Sequence, residues 1–468
     1  MTAIDVVIMA AGKGTRMKSR LPKVLHRLAG RALLAHVIDT ALSLQCVRRV
    51  AVVTGNGAEE VEAAVRSWCQ AASRPVPEFV RQEPQLGTGH ALQQAVPVLG
   101  DDGITLVLYG DVPLVEAGTL QRLLDASAGS KLALLTIEMA DPTGYGRIVR
   151  EGDAVRAIVE QKDATQAQRA IREAYTGFMA APNAQLKGWL SRLTNDNAQR
   201  EYYLTDVVGL AVADGTPVVA VSTDDQVQVE GVNSPLQLST LERAWQLRKA
   251  RALMEQGVRI ADAARIDVRG TLECAADVEI DVNCIFEGKV VLGEGVRVGA
   301  NCIVANATIG ANARIHPFTH IDGEAAGVSV GEGALIGPFA RLRPGADLGP
   351  DVHIGNFVEV KNSKMGRGSK ANHLAYLGDT TVGERVNYGA GSITANYDGA
   401  NKHQTVIEDD VHVGSNCVLV APVTIGRGGT IGGGSTITKD TQPDTLSVAR
   451  GRQVSIAGWK RPKKAPKG

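Results

Sequence analysis

From Ile280 onward an apolar residue returns at every sixth position. Ile280, Phe286, Leu292 and Val298 form one run. Val330, Ile336, Leu342, Leu348, Ile354 and Val360 form a second, and Ile407, Val413, Leu419, Ile425, Ile431 and Ile437 a third. An α-helix repeats at about 3.6 residues and a strand at about 2, so neither explains the pattern. A hexapeptide period is the signature of a parallel β-helix: three hexapeptides make one triangular coil and the periodic residues stack inward. Glycine often follows the apolar residue, as at Gly293, Gly331, Gly355 and Gly432, and is expected there to let the chain turn corners. The 52 glycines and the 4% aromatic content suit such tightly turned, repetitive structure. The period slips between Val298 and Ile309 and again between Val360 and Ile407. Within the second slip stands the insertion Thr394–His403, which a solenoid core does not need and which points to binding.

The first 230 or so residues read differently. Val6–Met9, Val50–Val53 and Leu106–Tyr109 are continuous apolar runs, and Leu33, Leu34, Val37, Ile38, Ala41 and Leu42 make a helical stripe. Buried strands alternating with amphipathic helices predict βαβ units and a mainly parallel sheet, whose ligands sit at the carboxyl ends of strands. Residues 236–257 read as a helix with Leu238, Leu241, Trp245 and Ala252 on one face and Gly257 as its stop. The expected organisation of the 468 residues is an α/β chain with a Rossmann-like domain (1–233), a linker helix (234–258), and a left-handed parallel β-helix with a basic tail (259–468).

Lys+Arg and Asp+Glu both total 50, so no global field draws the chain to nucleic acid or membrane. Six cysteines in no metal or CxxC spacing are expected as free buried thiols in a reducing compartment. The start of the chain carries no signal-peptide pattern, and no apolar run approaches the ~18 residues of a membrane span. A cytoplasmic protein is the expectation.

Three stretches of the first half carry chemistry. Ala10-Ala11-Gly12-Lys13-Gly14-Thr15-Arg16-Met17, followed by Lys23, follows the first strand. Without Cβ atoms, Gly12 and Gly14 let backbone N–H groups approach phosphate oxygens, and Lys13, Arg16 and Lys23 can neutralise them. The stretch is neither a P-loop nor GxGxxG, and on its own it is as well read as a tight turn. Asp111, after Tyr109-Gly110 at a strand end, could hold Mg²⁺ or cap a helix. Gln82 and Gln85–His90 offer amides suited to a nucleobase edge, or form a glycine-rich hairpin.

Taken together with Asp141–Arg147, Glu160–Asp163, Glu201–Asp206 and Gly231–Asn233, these stretches resemble the sugar-1-phosphate nucleotidylyltransferases. With the hexapeptide half, residues 4–461 resemble the bacterial bifunctional pyrophosphorylase/acetyltransferase family of UDP-GlcNAc synthesis. The resemblance implies Mg²⁺ on Asp111 and Asn233, catalytic roles for Arg16 and Lys23, and nucleotide phosphates held by Met9, Ala10, Ala11, Gly12, Arg16 and Lys23. It implies uracil on Gln82, Gly87 and Thr88, and a sugar pocket around Tyr109, Gly110, Gly146, Glu160 and residue 175. That last position departs from the family's Asn and is Tyr175, which puts an amide contact to the sugar or ribose in doubt. The implied reaction is attack of the GlcNAc-1-phosphate oxygen on the α-phosphate of UTP, releasing pyrophosphate.

In the second half His373 falls where the period breaks. A lone histidine is most often a surface residue; beside a protruding loop on a β-helix it suits a general base, because imidazole titrates close to neutrality. Arg343 and Lys361 each follow an inward apolar residue and should point outward, as solvated cations or as phosphate ligands. By the resemblance, His373 is the base. Arg343, Lys361, Tyr376 and Asn387 bind glucosamine-1-phosphate, and Glu359 orients neighbouring groups. Ala390, Asn396, Tyr397, Ser415, Gly433 (family Ala) and Arg450 surround acetyl-CoA. The family is a homotrimer with acetyl-transfer sites between subunits. The tail Trp459–Lys467 could attract CoA phosphates or merely solubilise. Two other readings are weaker: a pyrophosphorylase whose β-helix only oligomerises or regulates, opposed by His373, Tyr376 and the Asn396-Tyr397 loop, and a non-catalytic sensor or scaffold, opposed by Arg16, Lys23, Asp111 and Asn233.

Overall fold

The computed structural model describes residues 2–464; Ala465–Gly468 of the basic tail lie outside them. The chain divides into two compact units, Met1–Trp245 and Gln246–Gly468.

The first unit is built on one twisted sheet. Its strand order is Val218–Thr223, Leu132–Glu138, Glu173–Pro182, Ile104–Tyr109, Ile4–Met9, Val47–Thr54, Glu78–Arg81. Ile4–Met9 is buried along its whole length, as a central strand covered on both faces must be. Six of these strands share a direction and Glu173–Pro182 runs against both neighbours, so the sheet is mixed. An apolar run signals burial, not direction, and the antiparallel strand was not legible for that reason. A hairpin, Gly146–Glu151 with Ala154–Val159, pairs with the start of that strand. The helix Leu33–Ser43 buries Leu34, Val37, Ile38 and Ala41 against the sheet core, while Leu33 packs with Met17, Leu28 and Leu241.

The predicted linker helix spans Pro235–Glu255, and Gly257 ends it at a left-handed φ of 96°. Its first half packs Leu241, with Leu238 and Trp245, against Met17, Leu28 and Val232 of the first unit. Ala252 does not continue that face. It is exposed, and Gln246, Ala250 and Leu253 are buried instead. Gln246 sets this second stripe: its amide donates to the Val268 carbonyl at 3.1 Å and accepts from the Val268 N–H at 2.7 Å, satisfying the edge of the first coil's strand.

The second unit is a left-handed parallel β-helix of three faces. Each short strand pairs in parallel with its counterpart one coil on, as Ile336 with Ile354 and Leu342 with Val360. All sixteen periodic residues of the three runs are at most 5% exposed. The period does not lapse between Val360 and Ile407. Met365, Ala371, Leu377, Val382 and Tyr388 continue the inward stack, two of the steps being five residues instead of six.

The corners are made differently from the expectation. The glycine after the inward residue is needed for close approach. A Cβ on Gly331 would lie 2.4 Å from the Gly349 carbonyl carbon, and one on Gly355 1.9 Å from the Asn372 oxygen. The left-handed residue comes two positions later and is often not glycine, as at Phe318, Phe339 and Phe357 with φ of 60°, 56° and 55°. Of the cysteines, Cys69, Cys284, Cys302 and Cys417 are free and buried as expected. Cys274 is half-buried and Cys46 exposed at the start of a strand.

Candidate functional site

The carboxyl ends of Ile4–Met9 and Ile104–Tyr109 open on a cleft of about 430 Å³. Met9, Ala10, Ala11, Gly12, Lys23, Gln82, Gly87, Thr88, Tyr109 and Asp111 line it, so most of the residues expected around a nucleotide meet in one place. Lys13, Gln85 and Glu201 line it too. Gly12 is exposed, and a Cβ there would meet nothing within 4 Å, which leaves the backbone open to a ligand. Gly87 has φ 109° and stands before the helix Thr88–Ala95. The Gln82 amide donates to the Gly87 carbonyl at 2.9 Å, so the proposed base-reading residues brace one another.

At the other end of the cleft, Lys23 Nζ donates to Asp111 Oδ2 at 2.5 Å and to Asn233 Oδ1 at 3.2 Å. The Val232 N–H donates to the Asp111 carbonyl at 2.9 Å, and Gln237 Oε1 accepts from the Asn233 N–H at 2.9 Å, which anchors the backbone at both residues. Two oxygen donors from residues far apart in sequence thus converge on one cation. That donor set fits a hard divalent ion that completes its shell with phosphate and water. Arg16 does not join them. It is exposed on the turn Thr15–Met17 and has no ion pair among the described residues.

Beyond Tyr109 lies a second group. Gly146 faces Tyr175 across the hairpin pairing, and a Cβ on Gly146 would lie 3.8 Å from Glu160 Oε1. Thr205 Oγ1 donates to Glu160 Oε1 at 3.1 Å. Burial pushes the Glu160 carboxyl above its ordinary range, and Asp206, Asp163 and Glu201 add to this while Thr205 opposes it. The Tyr109 hydroxyl is raised by burial, then by Glu160 and Asp111, which puts it between the two groups. Tyr175 is 6% exposed and its hydroxyl donates to the Gly177 carbonyl at 2.6 Å. It fills the family's asparagine position with a ring whose polar end is already satisfied.

In the β-helix the expected acetyl-transfer residues resolve into columns. His373 pairs in register with Asn356, and its carbonyl accepts from the Gly391 N–H. The Ala390 carbonyl accepts from Asn416, and the Ser415 carbonyl from Gly434. Arg450 Nη1 donates to the Gly433 carbonyl at 2.7 Å. His373, Ala390, Ser415, Gly433 and Arg450, unevenly spaced in sequence, therefore stack along one corner. His373 is exposed, and its Nδ1 lies 2.9 Å from Asn356 Oδ1. With the amide oxygen turned to the ring, the tautomer that completes this bond carries its proton on Nδ1 and offers Nε2 as an acceptor.

The next face carries Arg343, Glu359, Lys361 and Tyr376 on successive coils. Glu359 accepts from Arg343 at 2.9 Å and pairs with Arg341 at 3.5 Å. Lys361 has Lys402 beside it; that ammonium, then partial burial and Arg343, pull Lys361 below its ordinary range, against Asp379. Three cations gathered on one face suit a phosphate. Lys402 escaped the sequence reading; its position at the foot of the insertion was the available signal.

Asn396 belongs with this cluster: it is 9% exposed and donates to Asp379 at 2.5 Å. Tyr397 is exposed, its hydroxyl donating to Gly399. Asn387 stands apart from them, on the strand row that holds Lys370 and His412.

The sequences of known proteins match both units of the chain. The family described as MobA-like NTP transferase domain matches residues 6–180, and the bacterial transferase hexapeptide (six repeats) matches 327–362 and 404–439. A nucleotidyl transferase from Methanothermobacter thermautotroptrophicus is 22% identical, with a TM-score of 0.37, covering 53% of this chain and 99% of its own. A protein named "Bifunctional protein GlmU" from Albidiferax ferrireducens is 70% identical over 465 residues, covering 98% of this chain and all of its own. The protein of that name from a Polaromonas species is 70% identical over 479 residues, covering the whole of both. Identity of this order from end to end, across the cleft and the columns alike, makes the chain a member of the bifunctional GlmU family.

Proposed function

We propose that the chain is a two-site enzyme of UDP-GlcNAc synthesis. The β-helix transfers acetyl from acetyl-CoA to glucosamine-1-phosphate. The first unit then joins GlcNAc-1-phosphate to UTP, giving UDP-GlcNAc and pyrophosphate. The observation that carries the second reaction is the convergence of Asp111 and Asn233 on Lys23 at the end of the nucleotide-sized cleft.

In uridylyl transfer Gly12 and the adjoining backbone hold the triphosphate, with Lys23 beside the α-phosphate, where negative charge builds up. Gln82, Gly87 and Thr88 orient the base, and Glu160 and Tyr109 accept the sugar. Asp111 and Asn233 would hold Mg²⁺, which when bound would supply electrostatic stabilisation of the phosphates. No covalent enzyme intermediate is needed, because positioning two bound reactants supplies much of the rate.

In acetyl transfer Nε2 of His373 takes the proton that the sugar amine loses as it attacks the thioester carbonyl, and the thiolate of CoA departs. Arg343, Lys361, Lys402 and Tyr376 hold the sugar phosphate; Ala390, Asn396, Tyr397, Ser415, Gly433 and Arg450 border the CoA. Asn387 lies on a different face from Arg343 and Lys361, which favours a site assembled between copies; that the assembly is a homotrimer is what the family resemblance implies. The exposed ladder Phe318–Phe339–Phe357, stacked at 5.0 and 5.4 Å, gives such copies an apolar seam. No helix among the described residues is long and apolar enough to cross a membrane. With UTP and acetyl-CoA as substrates, the cytoplasm is the proposed location.

The test is to assay both half-reactions on one preparation. Pyrophosphate release from UTP and GlcNAc-1-phosphate should need Mg²⁺ and Asp111 but not His373. Thiol release from acetyl-CoA should need His373 but not Asp111. Either activity missing from the unaltered protein rejects the two-site reading.

A further inference from the structure

Arg147 is 1% exposed although it carries a guanidinium. Arginine stays charged in proteins and is almost never so buried without a carboxylate partner. Neither of its partners here is a carboxylate. Nη1 donates to the Tyr145 carbonyl and Nη2 to Gln161 Oε1 at 2.6 Å. Its Nε has no partner among the described residues. Burial holds the guanidinium below its ordinary pKa, and Asp141 opposes this only through space. An apolar side chain of similar volume would fill the position without the cost of desolvating a charge. Packing alone therefore does not explain the cation.

Its two partners belong to the turns on either side of the proposed sugar pocket. Tyr145 closes the turn Asp141–Gly146, in which the Thr143 N–H donates to Asp141 at 3.1 Å and the Tyr145 N–H to Pro142 at 3.1 Å. Gln161 follows Glu160, and its oxygen also takes the Gly144 N–H at 3.5 Å. A planar fork with fixed donors can span two acceptors at once; an ammonium on a flexible stem holds them less well.

We infer that Arg147 is a positioning residue for the sugar phosphate: its guanidinium ties the Tyr145 carbonyl to Gln161 and holds the Asp141–Gly146 turn against Glu160. The inference rests on the proposal that Glu160 and Gly146 border the sugar.

The test uses the full-length protein with R147M, R147K, Q161L and the R147M/Q161L double variant. In R147M the KM for GlcNAc-1-phosphate should rise about tenfold, with kcat within about threefold and the KM for UTP unchanged. R147K should recover part of the loss. Q161L should move the same KM, and the double variant should be no worse than R147M alone, because one tie is broken either way. An unchanged KM in R147M, with an equal or higher unfolding temperature, overturns the inference. Should R147M fail to fold, an unchanged KM in Q161L overturns it. Glu160→Gln in the same assay separates the two claims. If it leaves the KM unmoved, the pocket assignment is wrong; if it raises the KM while R147M and Q161L are silent, only the role of Arg147 is rejected.

Discussion

Lys23 sits where two oxygen ligands meet, and its removal should separate charge from metal binding. Lys23→Met leaves Asp111 and Asn233 free to hold Mg²⁺ but removes the cation beside the phosphates; kcat for uridylyl transfer should fall about 10²–10³-fold with acetyl transfer intact. Asp111→Asn should cost at least as much and should also weaken the response to added Mg²⁺; a full rate in either variant rejects the assignment. Tyr175 makes a different prediction. Its hydroxyl satisfies the part-buried Gly177 carbonyl, so Tyr175→Phe should destabilise the first unit by about 1 kcal/mol in urea unfolding and leave the sugar KM near its original value. Tyr175→Asn restores an amide and should shift that KM; an unmoved value would mean the family contact is made by another residue here. At this scale Asp111 and Gln82 each had two readings alone, and only the combination of motifs pointed to the one cleft that both line. The sequence was least informative for Arg147, whose burial only the folded hairpin reveals, and for Lys402, whose neighbour Lys361 is distant in the chain. Arg16, placed on the phosphates by the resemblance, is exposed on its turn and does not line the cleft.

Each coil of the β-helix is a copy of the last, so a hole in the inward stack is shared with both neighbours. Ile354→Ala, at a fully buried position between Ile336 and Ala371, should cost about 2–4 kcal/mol and lower acetyl transfer before uridylyl transfer as temperature rises. The tip of the insertion is organised around the Asp398 carboxylate. Asp398 accepts from the Ala400 and Asn401 N–H groups at 2.8 and 2.7 Å and faces His403 Nε2 at 2.7 Å. These contacts hold the Asp398 carboxyl well below its usual range, the Asn401 N–H contributing most and His403 next. A depressed folded pKa stabilises the loop above the unfolded value of about 3.9, and the effect fades as pH falls toward the folded one. Protection factors of the Ala400 and Asn401 amides should therefore hold from neutrality to about pH 4 and drop below it, and Asp398→Asn should drop them at every pH. The solenoid was legible because its period belongs to no other fold. Its corners were misread because the periodic glycine suggested a turn, whereas it serves contact between coils, and the turning residue carries no uniform chemistry. The five-residue steps at Met365 and Val382 hid two of the coils that hold the acetyl-transfer residues.

The two halves of the proposed glucosamine-1-phosphate site lie on different faces of one solenoid, and this bears on the assembly. Arg343, Lys361 and Tyr376 share one face; Asn387 lies in the row of Lys370 and His412 on another. A convex corner separates the faces, and a single monosaccharide phosphate is too small to touch both. If all four residues contact the same molecule, Asn387 must come from a neighbouring copy in a closed ring. The consequence is complementation. Lys361→Ala and Asn387→Ala should each lose most acetyl transfer when pure. Unfolded and refolded together in equal amounts, they should form mixed trimers in which about a quarter of the sites pair an intact Lys361 face with an intact Asn387 face, and activity should return to about that level. Uridylyl transfer, with Asp111, Asn233 and Lys23 all in one unit of one chain, should show no such behaviour: mixing Asp111→Asn with Lys23→Met should restore nothing. Return of acetyl transfer fixes the site between copies. Failure to return, with trimers formed and each variant folded, would place both groups on one copy and remove Asn387 from the sugar.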